Sequence, residues 1–227
     1  VIRHYTTHSA YVRLINNEVD FILVTEPSNE ELNMAREKGV ELVVVPVVKD
    51  AFVFLHNTKN PVQSLTQKQI QDIYSGKITN WKEVGGTNGD IIAYQRPANS
   101  GSQTLMENLV MKGLKLKDAP KELTPSGMGE LVEMVAGYKD SENAIGYSVY
   151  YYANTMYNRD TVKLIGIDGF KPDKSTIQQG KYPYTSAYYA VYKKSVSENS
   201  LALRLLNWIL SPEGQNIAEK AGYIPVK

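Results

Sequence analysis

The stretch Tyr94-Gln95-Arg96-Pro97-Ala98-Asn99-Ser100-Gly101-Ser102-Gln103-Thr104 gathers several anion donors in a short span. Its pattern is the end of a strand, a loop of small residues and the start of a helix. A helix start leaves amide N–H groups unpaired and carries a partial positive charge. Gly101 lets a ligand approach the backbone closely. Ser100 and Ser102 add hydroxyl donors, and Arg96 adds a planar, permanently charged fork that matches an oxyanion. Together they read as an anion site. The competing reading is structural: a serine that only caps the helix, and an arginine paired with a surface carboxylate. Residue chemistry alone leaves both open.

Three weaker candidates share this logic. Thr6-Thr7-His8-Ser9 places hydroxyls and a histidine ahead of a helix, where a plain N-cap is the simpler account. Thr25-Glu26 stands at the C-terminal end of a strand, where open α/β sheets bind ligands, or is merely a turn. Pro125-Ser126-Gly127-Met128-Gly129 is a small-residue entrance to a helix. Catalysis has no comparable signal. There is no G-x-S-x-G elbow beside Ser100, no P-loop and no H-E-x-x-H, and His4, His8 and His56 show no metal-ligand spacing. No catalytic residue, metal or cofactor is expected.

These residues need elements to hold them. The apolar run at 19–25 reads as a buried strand. Ser28 and Glu31 form a capping box for a helix that stops at Gly39. Strands at 41–48 and 51–56 follow, then a polar break at 57–61. Thr66 with Gln69 caps a helix that Gly76 ends. Further helices are expected at 103–112, 129–138 and 200–210, the last with Leu201, Leu205, Trp208 and Ile209 on one stripe. Another starts at Ser211-Pro212, and strands are expected at 90–95, 144–152, 162–167 and 187–193. Alternating strands and helices imply a largely parallel α/β sheet. Residues 57–61 and 171–184 read as crossings between two lobes: residues 1–57 with 185–227, and residues 58–184. The chain opens on Val1 within an apparent strand and without an initiator Met, so an N-terminal portion is expected to be missing.

The bulk numbers exclude some classes. The 227 residues, 42% of them hydrophobic, allow one large domain or two small ones. With 25 basic against 24 acidic residues, nucleic acid is not an expected partner. There is no cysteine, so no disulfide or thiolate site, and no apolar run long enough to span a membrane. The 16 tyrosines read mostly as half-exposed strand faces.

The segment from Asn60-Pro61-Val62 through Leu65-Thr66, Gln69-Ile70 and Asp72-Ile73-Tyr74-Ser75-Gly76-Lys77-Ile78-Thr79-Asn80-Trp81 to Gly85-Gly86 resembles the phosphate-binding proteins of ABC importers. Arg96-x-x-x-Ser100-Gly101-Ser102 resembles their phosphate loop, and Ala144-Ile145-Gly146-Tyr147 a later strand. The likeness runs from about Thr7 to the C-terminus. It implies a two-lobed periplasmic-binding-protein (type II) fold that binds phosphate or a similar oxyanion between its lobes, without the family's first strand and helix. By the same resemblance Arg96 pairs with the anion, and Ser100, Gly101 and Ser102 donate to it. Thr7 falls where the family places a serine donor. Thr25 falls where some members place an aspartate that accepts the proton of hydrogen phosphate and others a serine. The sequence departs from the family at Ile22-Leu23-Val24, where small residues are usual, at Glu26, and at Ser102 in place of threonine. The implied protein is an extracytoplasmic monomer, periplasmic or lipid-anchored at the outer face of the membrane, with an ABC permease as partner. A ligand sensor of the same fold, a binder of another small anion and a phosphoester hydrolase using Ser100 are the alternatives.

Overall fold

The computed structural model describes residues 2–98 and 100–226. In chain order the helices are α1 (Thr7–Ile15), α2 (Asn29–Glu37), α3 (Gln67–Ser75), α4 (Gly101–Leu105), α5 (Met128–Gly137), α6 (Lys174–Gln178), α7 (Leu201–Ile209) and α8 (Pro212–Lys220). The strands are β1 (Phe21–Val24), β2 (Leu42–Asn57), β3 (Ser64–Leu65), β4 (Ile92–Ala93), β5 (Ala144–Val149), β6 (Val162–Leu164), β7 (Gly166–Ile167), β8 (Thr185–Lys193) and β9 (Ile224–Pro225).

The expected punctuation is present where it rests on neighbours in sequence. Ser28 Oγ accepts from the Glu31 amide, and the Glu31 carboxylate accepts from the Ser28 amide, so both groups at the start of α2 are satisfied. Thr66 and Gln69 do the same for α3, and Gly76 closes it in the left-handed region at φ 81°. Residues 2–6 form no strand, and Val1 lies outside the described residues. The helix expected over 103–112 begins earlier, as α4, and continues as a π-helical stretch (Met106–Met111).

The chain divides into two compact units. Unit 1 takes the described residues of 1–50, 98–104 and 186–227, and unit 2 takes 51–97 and 105–185. This differs from the sequence reading at three places. The strands expected at 41–48 and 51–56 are one 16-residue strand, β2, and the division falls within it, after Asp50. The polar break at 57–61 is a turn inside unit 2, where Asn57 donates to the carbonyls of Val135 and Ala136. The described residues of 98–104 belong to unit 1. The segment 171–184 lies in unit 2 and contains α6.

In unit 1, β1 pairs antiparallel with β8 (Phe21 opposite Tyr192, Val24 opposite Tyr189), β8 lies between β1 and β2, and β9 pairs antiparallel with β2. Ala10, Tyr11 and Leu14 of α1 pack on Ile22, Val24 and Val191, forming its main core cluster. In unit 2, β2 pairs antiparallel with β5 and β6, while β4 runs parallel to β5 and β3 to β7. The expected largely parallel sheet is therefore mixed. The neighbours of β2 are not consecutive with it in sequence, so the handed crossover that keeps consecutive strands parallel does not govern them.

Six tyrosines (Tyr11, Tyr74, Tyr94, Tyr147, Tyr182 and Tyr184) are at most 1% exposed, against the expectation of half-exposed strand faces. In unit 2, Phe52, Phe54, Tyr74, Tyr147 and Tyr184 form a ring cluster with centroids 5.2–6.3 Å apart, in tilted and edge-on contacts. Of the stripe expected on α7, Leu201, Leu205 and Trp208 lie outward, with Leu201 79% and Trp208 49% exposed, while Ile209 packs against a core that Leu206 enters.

Candidate functional site

In unit 1 three distant stretches meet at Gly101. A Cβ placed there would stand 2.3 Å from Thr25 Oγ1 and 2.7 Å from Thr7 Oγ1, so the position admits only glycine without movement. Both threonine hydroxyls therefore lie against the first residue of α4. Thr25 follows β1 directly and is buried. Its carbonyl accepts from Tyr11 Oη at 2.8 Å, which ties the end of β1 to α1. Its Oγ1 is buried and has no hydrogen-bond partner among the described residues. A buried hydroxyl left this way costs about 1–3 kcal/mol. Such a cost is accounted for if a ligand completes the bonding.

The surroundings favour an anion. Thr6, the N-cap of α1, makes no capping bond through its side chain, and the first turn carries no acidic residue. The helix start beside Thr7 thus keeps its donor character. Ser100 Oγ accepts from the Gln103 amide at 3.3 Å, so the capping role is real. A hydroxyl that caps through a lone pair retains its own O–H to donate, so capping and anion binding are compatible. Ser102 is buried.

His8, the next residue after Thr7, reaches α2 through one ring nitrogen. Its Nδ1 lies 3.1 Å from Glu31 Oε1, and Glu31 is 1% exposed. The histidine links α1 to α2. Glu26 lies near Tyr11 and Tyr189: burial raises both phenol pKa values, and the negative charge of Glu26 raises them further.

Arg96 belongs to unit 2. Its amide donates to Tyr147 Oη at 2.8 Å, its Nε to the Pro125 carbonyl at 3.0 Å and its Nη2 to the Ser126 carbonyl at 2.8 Å. Burial lowers its pKa, yet a guanidinium keeps its charge at neutral pH. The fork is seated on the backbone carbonyls of Pro125 and Ser126. At the small-residue entrance at 125–129, the donors of Ser126 and Gly127 meet a carboxylate. Glu130 Oε2 accepts from the Ser126 amide (3.0 Å), the Ser126 hydroxyl (3.2 Å) and the Gly127 amide (3.4 Å). Sequence reasoning missed both Glu130 and Tyr147 here. A carboxylate three residues after Gly127 was a readable capping signal; the Tyr147 hydroxyl had none.

Residues 5–213 match the profile of the PBP superfamily domain. A phosphate-binding protein PstS of Staphylococcus epidermidis is 30% identical over 96% of this chain and 67% of its own length. One of Bacillus subtilis is 28% identical over 87% of this chain and 63% of its own. The chain thus spans about two thirds of the length of these curated relatives. A solved candidate phosphate ABC transporter substrate-binding protein with bound phosphate, from Clostridium perfringens, superposes with a TM-score of 0.78 at 29% identity, covering 97% of this chain and 84% of that one. The α/β architecture agrees with these matches: the chain belongs to the PBP superfamily and, within it, to the family of phosphate-binding proteins.

Proposed function

We propose that this chain is the solute-binding component of an ABC importer, and that it binds inorganic phosphate or a closely similar oxyanion. The observation that carries the reading is the unpartnered, buried Thr25 hydroxyl, set with Thr7 against Gly101 at a helix start. The relatives' names and the phosphate bound in the Clostridium perfringens protein support the same ligand. The donors are Thr7, Thr25, Ser100, Ser102 and the Gly101 amide, and the charged ligand is Arg96, preorganised by the carbonyls of Pro125 and Ser126. A threonine hydroxyl both donates and accepts, so Thr25 suits a partly protonated oxyanion as well as a fully ionised one. His8 is assigned to holding α1 against α2.

The chain acts by binding, without turnover. Among the described residues Ser100 has no hydrogen bond to a histidine or a carboxylate, which a serine nucleophile needs. The partner is a membrane-embedded permease, and the protein works as a monomer outside the cytoplasm, in the periplasm or lipid-anchored at the outer face. Among the described residues no helix is long and apolar enough to cross a membrane.

Isothermal titration with phosphate at neutral pH, with sulfate as control, is the test. Stoichiometric binding of phosphate in preference to sulfate is expected. Absence of phosphate binding overturns the ligand assignment and leaves the fold standing. Arg96→Ala should weaken binding by about 2–5 kcal/mol, the cost of truncating one partner of a buried charged contact, with little change in melting temperature. Hydrolysis of a chromogenic phosphoester that vanishes in Ser100→Ala would instead establish an enzyme.

A further inference from the structure

We propose that Glu130 is a positioning residue for Arg96, acting through the loop between them; this rests on the reading of Arg96 as an anion ligand. Two hydrogen-bond sets share that loop. On one side, Glu130 Oε2 gathers the amides of Ser126 and Gly127 and the Ser126 hydroxyl. On the other, the carbonyls of Pro125 and Ser126 receive Nε and Nη2 of Arg96 at 3.0 and 2.8 Å. The Ser126 peptide is thus held by its donor end and used by its acceptor end. A loop of Pro125, Ser126 and Gly127 has no regular ladder of its own to fix those carbonyls. Glu130, on the first turn of α5, supplies the fixed point.

Charge works in the same direction. Glu130 is the carboxylate that favours the cationic form of Arg96, against the burial that disfavours it. The carbonyls of Pro125 and Ser126 that receive Nε and Nη2 are neutral, and routing the contact with Glu130 through their peptides fixes the geometry of those acceptors. Because misplacing a charged ligand group by a small distance already costs much of its effect, an unfixed loop should lower affinity.

The test compares Glu130→Ala with Glu130→Gln in phosphate titration, each also in an Arg96→Lys background. It adds nuclear magnetic resonance of the Arg96 Nε–H in ligand-free protein. Glutamine keeps an acceptor for the loop amides; alanine does not. The expected result is a loss of phosphate affinity of about 10- to 100-fold in Glu130→Ala and less than about 3-fold in Glu130→Gln, with most of the alanine effect gone when Arg96 is already lysine. The Arg96 Nε–H should be protected from exchange in the wild type and in Glu130→Gln, and unprotected in Glu130→Ala. Equal or tighter binding by Glu130→Ala, an equal loss in Glu130→Gln, or an equal loss in both backgrounds overturns the proposal. The exchange readout needs no ligand: if wild type fails to bind phosphate, the functional reading falls, while unchanged protection in Glu130→Ala sinks the positioning role by itself.

Discussion

Thr25 shows how one atom separates stability from function. Its Oγ1 is buried without a partner among the described residues, which leaves the cost of an unmade hydrogen bond. Valine has nearly the same shape and no hydroxyl. Thr25→Val should therefore leave stability unchanged or raise it by about 1 kcal/mol, while phosphate affinity falls about tenfold or more. Urea denaturation and titration on the same preparation check both halves. A variant that loses stability and keeps affinity would show that the hydroxyl is a structural group. Gly101→Ala makes the complementary case, because it adds an atom where Thr25 and Thr7 already stand. It should cost about 1–3 kcal/mol of stability by overpacking, and binding as well.

Among the elements, α2 carries the clearest local design. Ser28 and Glu31 satisfy one another's amides, and the same Glu31 carboxylate reaches His8 on α1. Ser28→Ala removes one cap and should cost about 1 kcal/mol. Glu31→Ala removes the reciprocal bond and the link to His8 together, and should cost more than the serine change. Thermal unfolding of the two variants orders them; equal losses would mean that the contact between helices contributes nothing. The resemblance segment at 60–86 is likewise a matter of elements. Trp81 is fully buried and donates to the Asn143 carbonyl at 2.8 Å, and Asn60 is 1% exposed with its Oδ1 on the Val62 amide. Its specificity as a signature reflects the packing of unit 2, at a distance in sequence from the anion donors.

For the whole molecule, His56 sets an acid limit. It is fully buried on β2, with a ring centroid 6.0 Å from that of Trp81. Burial, helped by the nearby positive charge of Lys163, lowers its pKa from 6.5 to about 4. Below about pH 6.5 the unfolded chain takes up a proton that the native state refuses. Stability from this group is thus full above pH 6.5, declines as pH falls to about 4 and is flat below, by up to about 3 kcal/mol in all. His56→Leu should flatten that slope in denaturation curves taken across the window; an unchanged slope would place the acid sensitivity elsewhere. Phosphate, if it binds the native state alone, should raise the melting temperature in proportion to the logarithm of its concentration.

What the sequence by itself determined is the set of features whose causes lie within a few residues. The Ser28–Glu31 and Thr66–Gln69 boxes, the stop at Gly76, the Ser-Gly-Ser entrance to α4 and the α/β class were all legible there, because caps, turns and hydrophobic periodicity act over one or two turns of chain. The tertiary structure alone decided which of these stand together. Thr7 and Thr25 reach Gly101 only because α1 packs on the end of β1, and Glu130 underpins Arg96 only because α5 begins beneath the loop that receives it. It also decided that six tyrosines enter the core, that the sheet is mixed and that the described residues of 98–104 join unit 1. Such outcomes depend on which distant surfaces meet. Local propensity is silent on that choice, because the free energy that settles it comes from burying those surfaces against one another.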